Sequence, residues 1–136
     1  MKQTIDHVVI KSIPNVHDLR GKLAVVEKDI IPFVMKRVYY LYDVPSDAYR
    51  GGHAHREQES VLIALSGSFE VLIKDGEREK KVMLNKPDKG LYIPTGIWRE
   101  IDNFSSGAIC LVLASTEFKE DDYIRAFDEF KSYKGL

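Results

Sequence analysis

The chain has 136 residues, and 20 Lys and Arg against 21 Asp and Glu give a net charge of −1. This length predicts one domain, residues 1–136, since domains run to roughly 100–200 residues. The 44% hydrophobic and 30% charged residues are typical of a soluble globular protein. A nearly neutral chain lacks the basic excess that sequence-independent nucleic acid binding requires. No apolar run approaches the roughly 18 residues of a membrane span, and residues 1–9 lack the apolar core of a signal peptide.

Most of the chain consists of short apolar runs, rich in β-branched and aromatic residues, that are separated by turn residues. This pattern is typical of a β-sandwich or β-barrel. Asp75-Gly76 lies between two such runs and predicts a hairpin turn. The predicted strands are 7–10, 23–27, 34–42, 60–65, 69–74, 81–84, 91–94 and 108–115.

Only the last segment, 121–133, has helical periodicity. Its apolar residues Tyr123, Ile124, Phe127 and Phe130 recur at steps of three and four residues. Acidic residues open the segment, and lysines and a glycine close it, an order that suits the helix dipole and a glycine stop. The predicted fold is therefore all-β with a C-terminal α-helix.

The chain has one cysteine, Cys110, which lies in the apolar run 108–114. One cysteine cannot form an internal disulfide, and a buried thiol behaves as a small hydrophobic group. We therefore expect a reducing, cytoplasmic location.

Two histidines, His53 and His55, stand two residues apart in the segment 50–57, whose sequence is RGGHAHRE. On an extended chain, residues two apart point to the same face. Two imidazoles on one face inside a barrel can serve as metal ligands or as a proton-transfer pair. They can also be solvated residues on the rim of a barrel.

The segment 51–67 has the pattern Gly-x-His-x-His-x₃-Glu-x₇-Gly, and a Pro-Thr-Gly-Ile-Trp-Arg sequence follows at 94–99. Together they resemble the two motifs of the cupin superfamily, small jelly-roll β-barrels whose interior holds the active site. Many cupins place a third histidine shortly after the glycine of the second motif, where this chain has Arg99. A guanidinium repels a metal ion and has no lone pair to donate, so Arg99 favours a site without metal.

Four blocks of sequence sharpen this resemblance, and together they are similar to the sugar nucleotide 3,4-ketoisomerases over residues 18–136. The resemblance implies a cupin-type jelly-roll β-barrel that acts on dTDP-4-keto-6-deoxyglucose in pathways to dTDP-linked 3-amino-3,6-dideoxyhexoses. It also implies a homodimer, with the strand 7–10 added to the partner's sheet. The blocks are 36–45, 50–59, 90–115 and 121–131.

Moving a ketone from C4 to C3 requires a base at C3, an acid at C4 and a group that stabilises the oxyanion. No cofactor is needed, because the carbonyl itself accepts the electrons. The predicted base is His53, with His55 as the acid or as the group that orients the base. Tyr39 and Arg50 are predicted to polarise the C4 oxygen. If Arg37 faces the pocket, Tyr39 should face it too, since they lie two apart on one strand.

The diphosphate and the nucleobase of the substrate require further groups. Arginines form paired hydrogen bonds to phosphate oxygens, and an aromatic ring can stack on thymine. Gly21 would let the backbone approach a ligand closely. The phosphate candidates are Arg20, Arg37, Arg50 and Arg99. The stacking candidates, for which packing is the alternative, are Tyr92 and Trp98.

Three alternatives stay open at this point. The first is a metal-dependent cupin oxygenase, in which His53, His55 and Glu59 supply the two imidazoles and one carboxylate of a non-haem iron site. The second is a non-catalytic sugar-binding module whose histidines only line a pocket. The third is 3,5-epimerisation of the same substrate, which also begins with removal of the C3 proton.

Overall fold

The computed structural model describes residues 2–136 and contains twelve β-strands, three single-turn 3₁₀ helices and one α-helix. The strands are β1 (Val9–Ser12), β2 (Asn15–Asp18), β3 (Gly21–Ala24), β4 (Arg37–Tyr42), β5 (Arg50–His55), β6 (Ser60–Ser66), β7 (Phe69–Lys74), β8 (Glu79–Leu84), β9 (Lys89–Ile93), β10 (Trp98–Asp102), β11 (Ile109–Ala114) and β12 (Tyr123–Ile124). The 3₁₀ helices are Ile5–His7, Lys28–Ile30 and Glu120–Asp122, and the α-helix α1 is Phe127–Tyr133. No helix within residues 2–136 is long and apolar enough to cross a membrane.

Ten of the strands form two five-stranded antiparallel sheets. The first sheet has the order β1-β9-β6-β11-β4, and the second has the order β12-β5-β10-β7-β8. Strands far apart in sequence become neighbours in both sheets, which is the jelly-roll arrangement. The remaining strands, β2 and β3, pair with each other in a separate hairpin.

The main core lies between the two sheets. In β7 the alternate residues Phe69, Val71 and Ile73 are fully buried, while the residues between them are half-buried. Leu62 and Val112 of the first sheet belong to the same apolar cluster. Because side chains alternate along a strand, only every second residue can reach this interior.

The outer faces of both sheets are also covered. Val61, Ile63 and Leu113 of the first sheet form a second apolar cluster with residues of the segment 26–33. On the second sheet, α1 covers a third cluster, in which Phe130 is fully buried. A residue whose neighbours belong to either outer cluster is therefore directed away from the interior.

The helix predicted over 121–133 is wrong in its first half. Tyr123 and Ile124 form β12 and pair with His55 and Ala54 of β5, and α1 begins only at Phe127. The two residues satisfy the helical spacing by coincidence, and pairing with a buried strand overrides the local pattern.

The first predicted strands are also shifted. The strand predicted at 7–10 begins at Val9, because His7 ends a 3₁₀ turn in which its Nδ1 accepts the backbone N–H of Thr4 at 3.0 Å. The strand predicted at 23–27 is replaced by the β2–β3 hairpin, which turns at residues 19–20. Neither shift alters the all-β class.

The hairpin predicted at Asp75-Gly76 is confirmed between β7 and β8. Its loop has four residues, since Lys74 pairs with Glu79 and the N–H of Asp75 donates to the carbonyl of Arg78 at 3.1 Å. Gly76 has φ +98°, a conformation that glycine adopts without strain.

Lys134 joins the two ends of the chain. Its buried ammonium donates to the carbonyl oxygens of Gln3 at 2.7 Å and Gly96 at 2.9 Å. The N–H of Gly96 in turn donates to the carbonyl of His55 at 2.8 Å. The C-terminal segment is thus bonded to the turn that precedes β10.

Candidate active site between the two sheets

A cavity of about 260 Å³ opens between the sheets on the side of β4 and β5. Its polar side chains all come from β4, β5, β10 and the segment around β12. The lining residues are Tyr39, Leu41, Arg50, Gly51, His53, Leu62, Arg99, Ile101, Val112, Tyr123 and Arg125. A larger open depression of about 580 Å³ lies along residues 26–35, outside the space between the sheets, and has neither histidine nor arginine in its lining.

Strand pairing places His53 directly opposite Arg99. The two residues are register partners of β5 and β10, and a bulge follows between Arg99 and Glu100. Directly opposed residues in an antiparallel pair have Cβ atoms about 4.5–5.5 Å apart. Gly51 makes this close packing possible, because at φ +89° a Cβ there would lie 3.1 Å from the carbonyl oxygen of Arg99.

His53 has two properties that a general base requires: its ring is neutral, and no side chain in the described part of the chain is bonded to it. Burial, reinforced by the Arg99 guanidinium, lowers the pKa of His53 from 6.5 to about 3, so the ring is neutral near pH 7. Within residues 2–136, neither ring nitrogen has a side-chain hydrogen-bond partner. A neutral imidazole that faces a cavity and is bonded to no side chain can accept a proton from a ligand.

Arg99 is only 2% exposed and has no carboxylate partner among the described residues. Its NH2 donates to the carbonyl of Ile97 at 3.3 Å, and its Nε is left without a partner. Burial lowers the pKa of Arg99 to about 10, which still leaves the guanidinium charged near pH 7. A buried, unneutralised cation at the wall of a cavity favours an anionic ligand or a developing oxyanion.

His55 lies behind His53 and does not line the cavity. The prediction that the two histidines share a face is confirmed, since their rings pack edge to face with centroids 4.8 Å apart. His55 is 0% exposed, and its Nδ1 lies 2.7 Å from Oδ2 of Asp122. Burial, followed by the Arg99 charge, holds the pKa of His55 far below its ordinary value.

The structure confirms that Arg37 and Tyr39 share one face of β4. Tyr39 lines the cavity, and burial raises the pKa of its phenol, which therefore stays a proton donor at neutral pH. Arg37 does not line the cavity. Its NH2 donates to Oε1 of Gln58 at 2.8 Å, and its guanidinium lies 4.7 Å from the Tyr39 ring centroid.

Three residues of the site escaped the sequence analysis: Asp122, Tyr123 and Arg125. The Tyr123 ring contacts both histidines, with centroids 4.9 Å from His53 and 4.5 Å from His55. The guanidinium of Arg125 lies 4.2 Å from the centroid of the Tyr123 ring and forms two hydrogen bonds to Glu120. The apolar spacing of their segment predicts a helix and gives no sign of a site. The only signal for these residues is that the segment 121–131 belongs to the resemblance to 3,4-ketoisomerases.

The stacking roles predicted for Tyr92 and Trp98 are not supported. Tyr92 belongs to the outer cluster of the first sheet, and its hydroxyl donates to Oε1 of Glu59 at 2.5 Å. Trp98 lies under α1, with its ring centroid 5.3 Å from that of Phe127. Both rings therefore pack on outer faces, because their strand positions are out of phase with the cavity.

The ligand set proposed for iron is not assembled either. The Glu59 carboxylate is bonded to Tyr92 on the outer face, while His53 faces the cavity. No group of three or more His, Cys, Asp and Glu side chains within residues 2–136 is arranged to hold a metal ion.

Arg20 and Gly21 lie on the exposed β2–β3 hairpin and are absent from the lining of the cavity in one chain. The guanidinium of Arg20 bonds the carboxylate of Asp18 at 2.7 Å, with 90% of its side chain exposed. Arg50, by contrast, is an exposed residue at the start of β5 that does line the cavity.

Comparison with known proteins identifies the family. The profile of the family described as FdtA: WxcM-like, C-terminal matches residues 6–135. The chain belongs to this FdtA family. It is 44% identical over 117 residues to the TDP-4-oxo-6-deoxy-α-D-glucose-3,4-oxoisomerase of Aneurinibacillus thermoaerophilus, a match that covers 85% of this chain and 84% of the relative.

Solved structures agree with this FdtA assignment. A 3,4-ketoisomerase from Helicobacter canadensis is 44% identical, with a TM-score of 0.92 over 96% of this chain and 98% of that one. A histidine-to-asparagine mutant of the 3,4-ketoisomerase QdtA from Thermoanaerobacterium thermosaccharolyticum, in complex with TDP-4-keto-6-deoxyglucose, is 39% identical, with a TM-score of 0.91 over 93% of each chain. At 13% identity, dTDP-4-dehydrorhamnose 3,5-epimerase from Bacillus anthracis shares the fold alone, with a TM-score of 0.78 over 90% of this chain and 80% of that one.

Proposed function

We propose that this protein is a sugar nucleotide 3,4-ketoisomerase that converts TDP-4-keto-6-deoxyglucose to the 3-keto isomer. The observation that carries the proposal is a neutral His53, with no side-chain partner among residues 2–136 on either ring nitrogen, opposite the buried cation Arg99 in one cavity. Relatives at 39–44% identity are named for this reaction or bind this sugar nucleotide.

In the proposed reaction, His53 takes the proton from C3 of the sugar. The electrons of that C–H bond form a C3–C4 double bond, and the C4 oxygen gains a proton to complete an enediol. The C3 hydroxyl then loses its proton as C4 gains one, which leaves a ketone at C3 and a hydroxyl at C4. Protons and electrons balance within the sugar, so no cofactor is required.

Tyr39 and the arginines are proposed to stabilise the charge that develops on the C4 oxygen. Tyr39 keeps its proton at neutral pH, because burial raises the pKa of its phenol. Arg99 and Arg50 place positive charge on the second-sheet side of the cavity. Donors that are fixed before the reaction stabilise an oxyanion most effectively.

The cavity is proposed to hold the sugar ring, with the nucleotide outside it. Its volume of about 260 Å³ lies just below the roughly 300–1,000 Å³ of ordinary ligand pockets. The diphosphate would then lie at the rim, where Arg50 and Arg125 are exposed. Arg125 is added to the phosphate candidates because it lines the cavity, which Arg37 does not. To bind a phosphate, Arg125 would have to exchange its two hydrogen bonds to Glu120.

We also propose that the protein is a cytoplasmic homodimer. The edge strand β1 exposes Val9 and Ile10, and the hairpin exposes Val16, Leu19 and Leu23. An apolar sheet edge without a partner is a favourable surface for a second copy of the chain. A reducing location is supported by the buried Cys110 thiol, whose pKa burial raises to about 12, so that it stays protonated and unreactive.

The proposal is tested by incubating the protein with TDP-4-keto-6-deoxyglucose in deuterium oxide and following the product by NMR. We expect a 3-keto product with deuterium at C4, and His53→Asn should lower kcat by about 10²–10⁴-fold, because that is the usual contribution of general acid–base catalysis. Asp128→Asn, a change to the same residue type at an exposed position of α1, is the control. Complete transfer of a C3 deuterium label to C4 without exchange would contradict the proton-transfer mechanism, and full activity of His53→Asn would contradict the assignment of the base.

A further inference from the structure

Asp122 is a buried carboxylate that lies behind the cavity, with 5% of its surface exposed. Both of its oxygens are engaged: Oδ2 lies 2.7 Å from Nδ1 of His55, and Oδ1 accepts the backbone N–H of Glu57 at 2.5 Å. The carbonyl of Asp122 accepts the N–H of Arg56 at 2.9 Å. These three contacts fasten the 3₁₀ turn before β12 to the end of β5.

We propose that Asp122 is a positioning residue of the isomerase that fixes the tautomer of His55. An ionised carboxylate can only accept hydrogen bonds, so His55 must donate from Nδ1. In a neutral imidazole the proton then sits on Nδ1, and Nε2 carries the lone pair. The inference rests on the proposed role of His53, since His55 acts only through that residue.

The packing shows why the tautomer of His55 matters to His53. The rings of the two histidines are edge to face, and Tyr123 packs against both of them. His55 is inaccessible to a ligand, and its Nε2 has no partner among the described residues. The ring of His55 is already in contact with His53 when the sugar protonates His53. The positive charge on His53 then lies next to a ring whose Nε2 can accept a hydrogen bond and whose Nδ1 is bonded to the Asp122 carboxylate.

The variant Asp122→Asn tests this role without removing the side chain. The N–H of Glu57 requires an acceptor, so the amide oxygen should occupy the position of Oδ1 and the amide NH₂ should face His55. An NH₂ group can only donate, so Nδ1 of His55 must accept and its proton must move to Nε2. In serine proteases, the same change at the carboxylate that bonds the base itself reverses the tautomer of the base and is costly.

The experiment combines long-range ¹H–¹⁵N NMR of the histidine rings with steady-state kinetics. We expect Nδ1–H on His55 in the wild type and Nε2–H in Asp122→Asn, with kcat lowered by about 10²-fold or more. KM and TDP affinity should change little, because Asp122 lies outside the cavity. Asp121→Asn, the same chemical change at the exposed neighbour, should leave both the tautomer and kcat unchanged.

An Nε2–H tautomer of His55 in the wild type would overturn the inference, even where Asp122→Asn does not fold. An unchanged tautomer or an unchanged kcat in a folded Asp122→Asn would overturn it too. The variant His53→Asn separates this failure from that of the proposed function. If His53→Asn is inactive while Asp122→Asn is fully active, the base assignment stands and the positioning role falls.

Discussion

His53, the proposed base, and Arg99, the buried cation of the site, are register partners on neighbouring strands. The guanidinium favours an anionic substrate, and together with burial it lowers the pKa of His53 and so holds the ring neutral near pH 7. Where the second cupin motif commonly has a histidine that can bind metal, this chain has Arg99, which cannot. The character of the site thus depends on one position of β10.

This pairing predicts the pH dependence of the reaction. A neighbouring cation lowers the pKa of a histidine, so Arg99→Met should raise the pKa of His53 towards its ordinary value of 6.5. The base is active when unprotonated, so the acid limb of kcat/KM should lie well below pH 6.5 in the wild type and move to higher pH in the variant. The pH profile of kcat/KM reports the ionisations of the free enzyme.

Arg78→Met is the control for that profile, because Arg78 lies at the surface and pairs with Asp6. It should leave the acid limb where it is in the wild type. An acid limb that Arg99→Met does not move would show that Arg99 has no influence on the base. An acid limb near pH 6.5 in the wild type would show that the pKa of His53 is not lowered.

At the scale of elements, the sequence predicted those features that depend on local pattern. Strand 69–74 follows from a short apolar run bounded by turn residues, and the shared face of His53 and His55 follows from the alternation of side chains along an extended chain. Both predictions are confirmed. The segment around β12 was missed, because its apolar spacing also fits a helix. Its true conformation depends on pairing with β5, a strand almost 70 residues earlier, which no local pattern records.

The C-terminal helix depends on its packing. With seven residues, α1 is too short to be stable alone, and it is held by aromatic contacts of Phe130 and Phe127 with Trp98. Phe130 is fully buried, so Phe130→Ala should lower the free energy of unfolding by about 3–5 kcal/mol. Urea denaturation measures this loss, and Phe118→Ala, the same change at an exposed ring, should cost much less. A loss for Phe130→Ala as small as the loss expected for Phe118→Ala would mean that the packing of α1 contributes little to stability.

At the scale of the whole molecule, the two sheets differ at their edges. The outer strand β8 presents charged residues, among them Glu79, Lys80 and Lys81. Charged side chains discourage further strand pairing, whereas the β1 edge exposes apolar ones. This asymmetry favours a closed pair of chains over an open array.

Light scattering after gel filtration tests the dimer. We expect the wild type to have twice the 15.6 kDa mass of one chain. Ile10→Lys combined with Leu23→Glu places charges on the β1 edge and the hairpin, and should yield a folded monomer. Met83→Glu, an equally exposed apolar residue on β8, is the control and should stay dimeric. A monomeric wild type, or a double variant that remains dimeric, would refute this interface.

The bond from Lys134 to Gln3 has a consequence for how the chain is connected. Because this bond is 2.7 Å long, the last and first turns of the backbone lie side by side. The fold is therefore almost a closed ring, and a short linker could join its ends while new ends are opened elsewhere, as circular permutation requires. The exposed residues Asn85 and Lys86, between β8 and β9, offer such an opening, since neither belongs to a strand. A permuted chain would then build the same site from strands that follow one another in a different order along the sequence.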